Sequence, residues 1–143
     1  MVDNLTKDQR SKNMSRILSK NTKPELIFRK RLHGLGYRYR LHKKDLPGKP
    51  DLYLKKYNLA IFIHGCFWHQ HGCKYSGIPK SNKKFWKSKF NQNTTRDKIN
   101  LKKLNQIGVR YEIIWECHIR NQIEKELKRV VARTVYLKSS GGY

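Results

Sequence analysis

The first apolar residues at helical spacing, Phe28, Leu32 and Leu35, follow Thr22-Lys23-Pro24-Glu25, which offers an N-cap hydroxyl, a proline in the first turn and a glutamate at the capping-box position. This predicts a helix that opens at Thr22 and closes at Gly34 or Gly36. Tyr37 to Leu41 alternates Tyr-Arg-Tyr-Arg-Leu and predicts a strand, followed by a Pro-Gly turn within Leu46 to Pro50. Two short apolar runs, Leu52 to Leu54 and Leu59 to Ile63, flank the polar Lys55 to Asn58 and read as a hairpin. A long helix is expected from about Asn82 to Ile107, with Phe85, Phe90, Leu101 and Leu104 on or near one face and Gly108 as its stop. Val109 to Trp115 is then a β-branched and aromatic strand, and a last amphipathic helix carries Ile123, Leu127, Val130 or Val131, and Val135. Strand, helix, strand in that order makes the runs ending at Ile63 and Trp115 parallel, joined by a right-handed crossover. The pattern describes one α/β domain over residues 21–137, preceded by a basic arm at 1–20 and followed by a tail at 138–143.

Charge changes this picture more than size does. The 143 residues include 33 Lys and Arg against 10 Asp and Glu, a formal charge of +23 that repels itself unless a polyanion compensates. Nucleic acid is the expected partner. A membrane is not, because no apolar run approaches the roughly 20 residues that span a bilayer, and Met1 to Arg10 lacks the apolar centre of a signal peptide. The expected location is therefore the cytoplasm. Three cysteines, an odd number, argue against a disulfide framework and leave core thiols or metal ligands.

Two constellations carry candidate chemistry. If the two strands are parallel they finish at one sheet edge, and each is followed almost at once by a cysteine, Cys66 and Cys117. In Cys66-Phe67-Trp68-His69-Gln70-His71-Gly72-Cys73 the loop can turn Cys73 and one of the two histidines back onto the same point, a donor set suited to tetrahedral zinc. In the hairpin, Asp51 opens the first strand and His64 closes the second, so Asp51 faces a residue between Phe62 and His64. A carboxylate and an imidazole there can hold a hard divalent ion and handle protons in phosphodiester hydrolysis. His69 is placed to take a proton from water, and Glu25 to orient His69 if the first helix points its N-terminus at that edge. Phe67, Trp68 and Trp86, set among lysines, are rings that can stack on bases or wedge between them. Each has a plainer reading: Asp51 as a turn carboxylate, Glu25 as a helix cap, Trp86 as core.

Ser11-Lys12-Asn13-Met14-Ser15, Leu46-Pro47-Gly48-Lys49-Pro50-Asp51, Ile61-Phe62-Ile63-His64-Gly65-Cys66-Phe67-Trp68-His69 and Val109 to Cys117, ending Trp-Glu-Cys, resemble the very-short-patch-repair (Vsr) DNA mismatch endonucleases over about residues 11–120. The resemblance implies a restriction-endonuclease-like mixed sheet flanked by helices, and nicking of the T-containing strand at T·G mispairs left by deamination of 5-methylcytosine. It implies Mg²⁺ at Asp51 and the main-chain carbonyl of Ile63, His69 as base supported by Glu25, and His64 near the scissile phosphate. It also implies zinc at Cys66, His71, Cys73 and Cys117. Phe67, Trp68 and Trp86 correspond to intercalating aromatics, Met14 and Ile17 to arm residues entering the opposite groove, and Lys89 and Asn93 to base-contacting residues. Phe62 stands where the wider nuclease superfamily has a second acid, and His64 where it has a lysine. The expected partner is duplex DNA with a T·G mismatch, with mismatch-repair proteins cooperating and the chain acting as a monomer. The competing expectation is a sequence-specific nicking or restriction endonuclease acting on matched duplex.

Overall fold

In the computed structural model, which describes residues 22–73 and 77–139, the expected cap opens helix α1 (Lys23–Gly34). The Thr22 hydroxyl accepts from the Glu25 N–H at 3.4 Å, with Pro24 in the first turn. Gly36 adopts φ +99, which lets its N–H reach the His33 carbonyl at 3.0 Å and the Tyr37 N–H reach Leu32 at 3.3 Å. Those two bonds satisfy carbonyls that the helix end would otherwise orphan. The basic arm at 1–20, with Met14 and Ile17, lies outside the described residues.

Strand β1 is only Arg40–Leu41, shorter than the expected Tyr37 to Leu41. The two tyrosines pack against the core and their hydroxyls bond helices instead of a strand, Tyr37 pairing with Thr134 at 2.7 Å and Tyr39 donating to the Arg29 carbonyl at 2.8 Å. Strand β2 (Leu52–Leu54) and strand β3 (Leu59–His64) form the hairpin, joined through the 3-10 turn Lys55–Tyr57 and Asn58. Its register pairs Leu52 with Ile61 and Leu54 with Leu59. A four-residue helix α2 (Cys66–His69) and a long helix α3 (Lys83–Gln106) lead to strand β4 (Arg110–Trp115), and α4 (Glu116–Ser139) ends the described chain. The sheet order is β1-β2-β3-β4, antiparallel except for β3 and β4, which run parallel from Leu59↔Arg110 to His64↔Trp115.

Strand β3 is buried on both faces, as a central strand between helical layers must be. Leu59 and Ile61 join the larger core with Phe28 and Leu32 of α1 and Leu127, Val130 and Leu137 of α4. Ala60 and Phe62 point the other way, into a smaller core with Leu104 of α3 and Val109. The molecule is thus a mixed α/β fold with a four-stranded sheet flanked by helices. Among the described residues no helix is long and apolar enough to cross a membrane.

Two helix faces differ from the pattern read off the sequence. In α3 the buried set is Trp86, Phe90, Asn93 and Leu104, and Phe85 is 48% exposed. In α4 the backbone breaks at Gln122 (φ −153, ψ 48), and the buried stripe runs Leu127, Val130, Thr134, Leu137 while Val135 is 62% exposed. A threonine holds a core position because its hydroxyl is satisfied twice, by Tyr37 and by the Val131 carbonyl at 2.7 Å.

This face assignment predicts that Leu137→Ala destabilises the fold by about 2–5 kcal/mol, whereas Val135→Ala stays within about 0.5 kcal/mol of the parent. Urea denaturation decides it; equal losses in the two variants would contradict the buried stripe.

Candidate active site and thiol cluster

The hairpin register carries the acid to its place. Asp51 lies just before β2, one step beyond the Leu52↔Ile61 pair, and its Oδ2 accepts the Ile63 main-chain N–H at 2.7 Å. The preceding turn is tight. A Cβ at Gly48 (φ +80) would sit 3.0 Å from the Phe62 ring and 3.2 Å from the Asn100 Cβ, so only glycine lets this loop close onto the sheet. Glu25, from the first turn of α1, is 1% exposed and meets Asp51 from the other side. Its carboxylate accepts from Arg29 Nη1 at 2.5 Å and lies 3.0 and 3.2 Å from His42 Nε2. Oxygen or nitrogen atoms of Glu25, His42 and Asp51 all lie within 4.8 Å of one another. Burial pushes the Asp51 carboxyl up to about 7, reinforced by the Glu25 carboxylate and opposed by the Ile63 N–H. Two acids so placed either share a proton or hold a cation between them.

The two histidines expected here also converge, and a third residue joins them. His64 and His69 stack with ring centroids 3.8 Å apart and planes 5° from parallel. Burial lowers the His64 imidazole to about 3, with the facing His69 acting in the same direction, so His64 is neutral at physiological pH. The expected support of His69 by Glu25 is corrected: His69 Nδ1 bonds Asp97 Oδ2 at 2.5 Å, while Glu25 is engaged by Arg29 and His42. Asp97 projects from α3 on the opposite side of the sheet edge from α1, which is why it reaches His69. It is the sole acid in the 24-residue stretch Lys83–Gln106, a signal present in the sequence and passed over.

Both strands of the parallel pair end at the edge where the thiols gather. Cys66 and Cys117 follow β3 and β4, and with His71 and Cys73 they bring four donor atoms within 4.8 Å of one another. His71 Nε2 lies 3.3 Å from the Cys66 Sγ and 3.4 Å from the Cys117 Sγ. A tetrahedral ion with nitrogen at about 2.05 Å and sulfur at about 2.3 Å would set that edge at about 3.6 Å. Of the two histidines the loop offers, His71 therefore joins the thiols, and His69 joins His64 and Asp97. Without a cation, burial pushes the Cys66 thiol up to about 12 and raises Cys117, while burial lowers His71. A soft divalent ion reverses the cost for the thiols by binding their deprotonated form. The Trp115 ring stacks on His71 at 3.9 Å and stands edge-on to His64 at 5.1 Å, so one indole touches both groups.

A cleft of about 950 Å³ is lined by Asp51, Ile63, His64 and His69 together with Lys44, Lys49, Lys89 and Arg96. Trp68 flanks it, packed with Phe67, Trp86 and Phe90 in an aromatic cluster. Trp86 is 4% exposed and its indole N–H has no partner among the described residues. The Asn93 amide is committed at both ends, donating to the Trp68 carbonyl at 3.3 Å and accepting from Arg96 at 3.1 Å.

Comparison with known proteins adds the following. Residues 2–75 match the family model described as DNA mismatch endonuclease Vsr. The Type II nicking enzyme V.NmeAIP of Neisseria meningitidis is 44% identical over 133 residues, covering 92% of this chain and 95% of that protein. The Type II nicking enzyme V.XorIIP of Xanthomonas oryzae is 40% identical over 133 residues, covering 92% and 98%. The DNA mismatch endonuclease Vsr of Escherichia coli is 38% identical over 122 residues, covering 85% and 78%.

The buried acid and imidazole make opposite contributions to stability in buffer without added divalent ions. Asp51 binds its proton more tightly folded (about 7) than at its ordinary value of 3.8, so its contribution is full below pH 4 and is lost as pH rises through 7. His64 falls from its ordinary 6.5 to about 3, so its contribution is present above 6.5 and is lost as pH falls toward 3. Asp51→Asn removes only the first, and its stability is expected to gain on the parent's by on the order of 4 kcal/mol between pH 4 and pH 8. Urea melts across that range test this; a constant difference would refute the burial of an Asp51 proton.

Proposed function

The chain belongs to the Vsr family of DNA mismatch endonucleases, and from that membership we propose that it nicks the T-containing strand at T·G mispairs arising from deaminated 5-methylcytosine. It is a DNA endonuclease, and the observation that carries the reaction is one cleft lined by Asp51, His64, the His69–Asp97 pair and basic residues, with Glu25 beside Asp51. The oxygen donors of Asp51 and Glu25 suit a hard ion such as Mg²⁺, to be held by Asp51 and the Ile63 main-chain carbonyl. When bound, such an ion supplies Lewis acidity toward the phosphodiester and a water acidic enough to attack at neutral pH. His69 accepts the proton at Nε2, because Asp97 fixes Nδ1 and stabilises the imidazolium that results. His64, kept neutral by burial, presents a hydrogen-bond donor toward the scissile phosphate without adding a second positive ring to the stack.

The thiol cluster is a structural zinc site in this proposal, with Cys66, His71, Cys73 and Cys117 as a closed set of four ligands and no position left for substrate. Its role is to fix the turn that carries His69. The +23 charge neutralises phosphates along the duplex. Phe67 and Trp68 act as the wedge, with Trp86 behind them; a mispaired step unstacks at lower cost than a matched one, which favours wedging at the lesion. Lys89 lines the cleft, which supports its reading as a base contact, whereas Asn93 must first leave the Trp68 carbonyl and Arg96. Met14 and Ile17 are assigned to the opposite groove by the family resemblance alone.

A second proposal has direct support. Two relatives that cover 92% of this chain carry the name Type II nicking enzyme, which favours recognition of a defined sequence, with matched duplex as an equally good substrate.

Incubation with Mg²⁺ and either T·G or matched duplexes separates the two: nicking confined to the mispaired duplex supports mismatch repair, and equal nicking of both supports the sequence-specific enzyme. Asp51→Ala is expected to abolish nicking while the thermal melt and bound zinc are retained; normal cleavage by that variant rejects the assignment. Elemental analysis of chain purified without chelator should find one zinc per chain, absent from Cys117→Ser. A stoichiometry far below one removes the structural-zinc role.

A further inference from the structure

His42 appears in none of the motifs that mark the family resemblance, yet its side chain meets the Glu25 carboxylate and its main chain pairs with Asp51. Its main-chain N–H donates to the Asp51 carbonyl at 3.0 Å, extending the β1–β2 ladder one step past Leu41↔Leu52. At that step its backbone turns to φ +48, a left-handed conformation uncommon for a residue with a side chain. The turn points the imidazole back into the cleft, where Nε2 lies 3.0 and 3.2 Å from the two oxygens of Glu25. Glu25 is almost wholly buried, and Arg29 reaches its Oε2 from four residues along the same helix. A donor from another element that lies near both oxygens adds a restraint on the plane of the carboxylate.

We infer that His42 is a positioning residue for the reaction: it holds Glu25 in register with Asp51, so that the pair faces a divalent cation with its oxygens already aligned. The strained backbone of His42 and the pairing of its N–H with Asp51 serve the same end, because they tie the two acids, which come from separate elements, to one residue. Partners that orient the groups around a metal influence its binding nearly as much as the ligands do. The inference rests on the proposal that Asp51 holds a divalent cation.

The test uses the full chain mixed with a T·G duplex, as wild type, His42→Gln and His42→Leu. Mn²⁺ is titrated in, following the electron paramagnetic resonance signal of the free ion, and nicking is measured over the same range. Glutamine keeps an N–H donor within reach of Glu25, whereas leucine keeps bulk and removes the donor. Relative to wild type, His42→Leu is expected to weaken Mn²⁺ binding and raise the Mn²⁺ needed for half-maximal nicking by about 10–100-fold, with His42→Gln within about threefold. Duplex affinity without metal should be unchanged in both. Equal Mn²⁺ affinity in wild type and His42→Leu overturns the inference. So does an equal loss in both variants together with a histidine nitrogen coupling in the wild-type Mn²⁺ spectrum, which would make His42 a ligand. A wild-type chain that binds no Mn²⁺ defeats the cation proposal itself, and does so before any variant is compared.

Discussion

Parallel pairing of β3 with β4, residue by residue from Leu59↔Arg110 to His64↔Trp115, forces two strand ends that lie far apart in sequence to finish side by side. All the chemistry sits just past those ends. Cys66 and Cys117 follow the two strands directly, so the sheet register alone sets the spacing of two thiols. The antiparallel β2–β3 pairing then fixes Asp51 against Ile63 from the other side. A slip of one residue in either pairing would turn every side chain at the edge to the opposite face and dissolve both groups at once.

Electrostatics explains why the site tolerates such crowding. The protein as a whole is strongly cationic, yet Asp51 and Asp97 line its cleft and Glu25 packs beside Asp51. Glu25 has Arg29 and His42 and Asp97 has His69, whereas Asp51 meets the Ile63 main-chain N–H and the like-charged Glu25. Of the three it is therefore Asp51 that carries the unmet demand for positive charge, and burial expresses that demand as a raised affinity for a proton. Lys44, Lys49, Lys89 and Arg96 also line the cleft and add positive charge to it.

The hairpin, the parallel crossover and the thiol group were legible because each depends on local periodicity plus one topological rule. Leu52 to Leu54 and Leu59 to Ile63 are short runs with a polar turn between them, and a cysteine after each of two parallel strands follows without further information. Spacing alone left the choice between His69 and His71 open, because both sit at or just past the short α2 helix, and only the family resemblance named His71 for the thiols. Asp97 and His42 were missed for a different reason. Each acts across the fold, 28 residues from His69 in one case and 17 from Glu25 in the other, and neither spacing matches a local period. The face of α4 eluded the pattern because Thr134, polar by composition, is core by virtue of its two hydrogen bonds. Tyr37 and Tyr39 misled in the opposite sense: alternation suggested a strand, and their hydroxyls tied the segment to helices instead.

Trp115 is shared between the two groups, its face on His71 and its edge on His64. That couples the thiol loop and the His64 edge for sequence drift. A substitution tolerated in either group is accepted only if the indole keeps its tilt, so replacements near position 115 must be strongly epistatic with those at 64 and 71. Combinatorial libraries that vary the two groups separately would sample mostly broken combinations, and grafting the catalytic edge onto another scaffold would require transplanting the thiol loop and Trp115 with it.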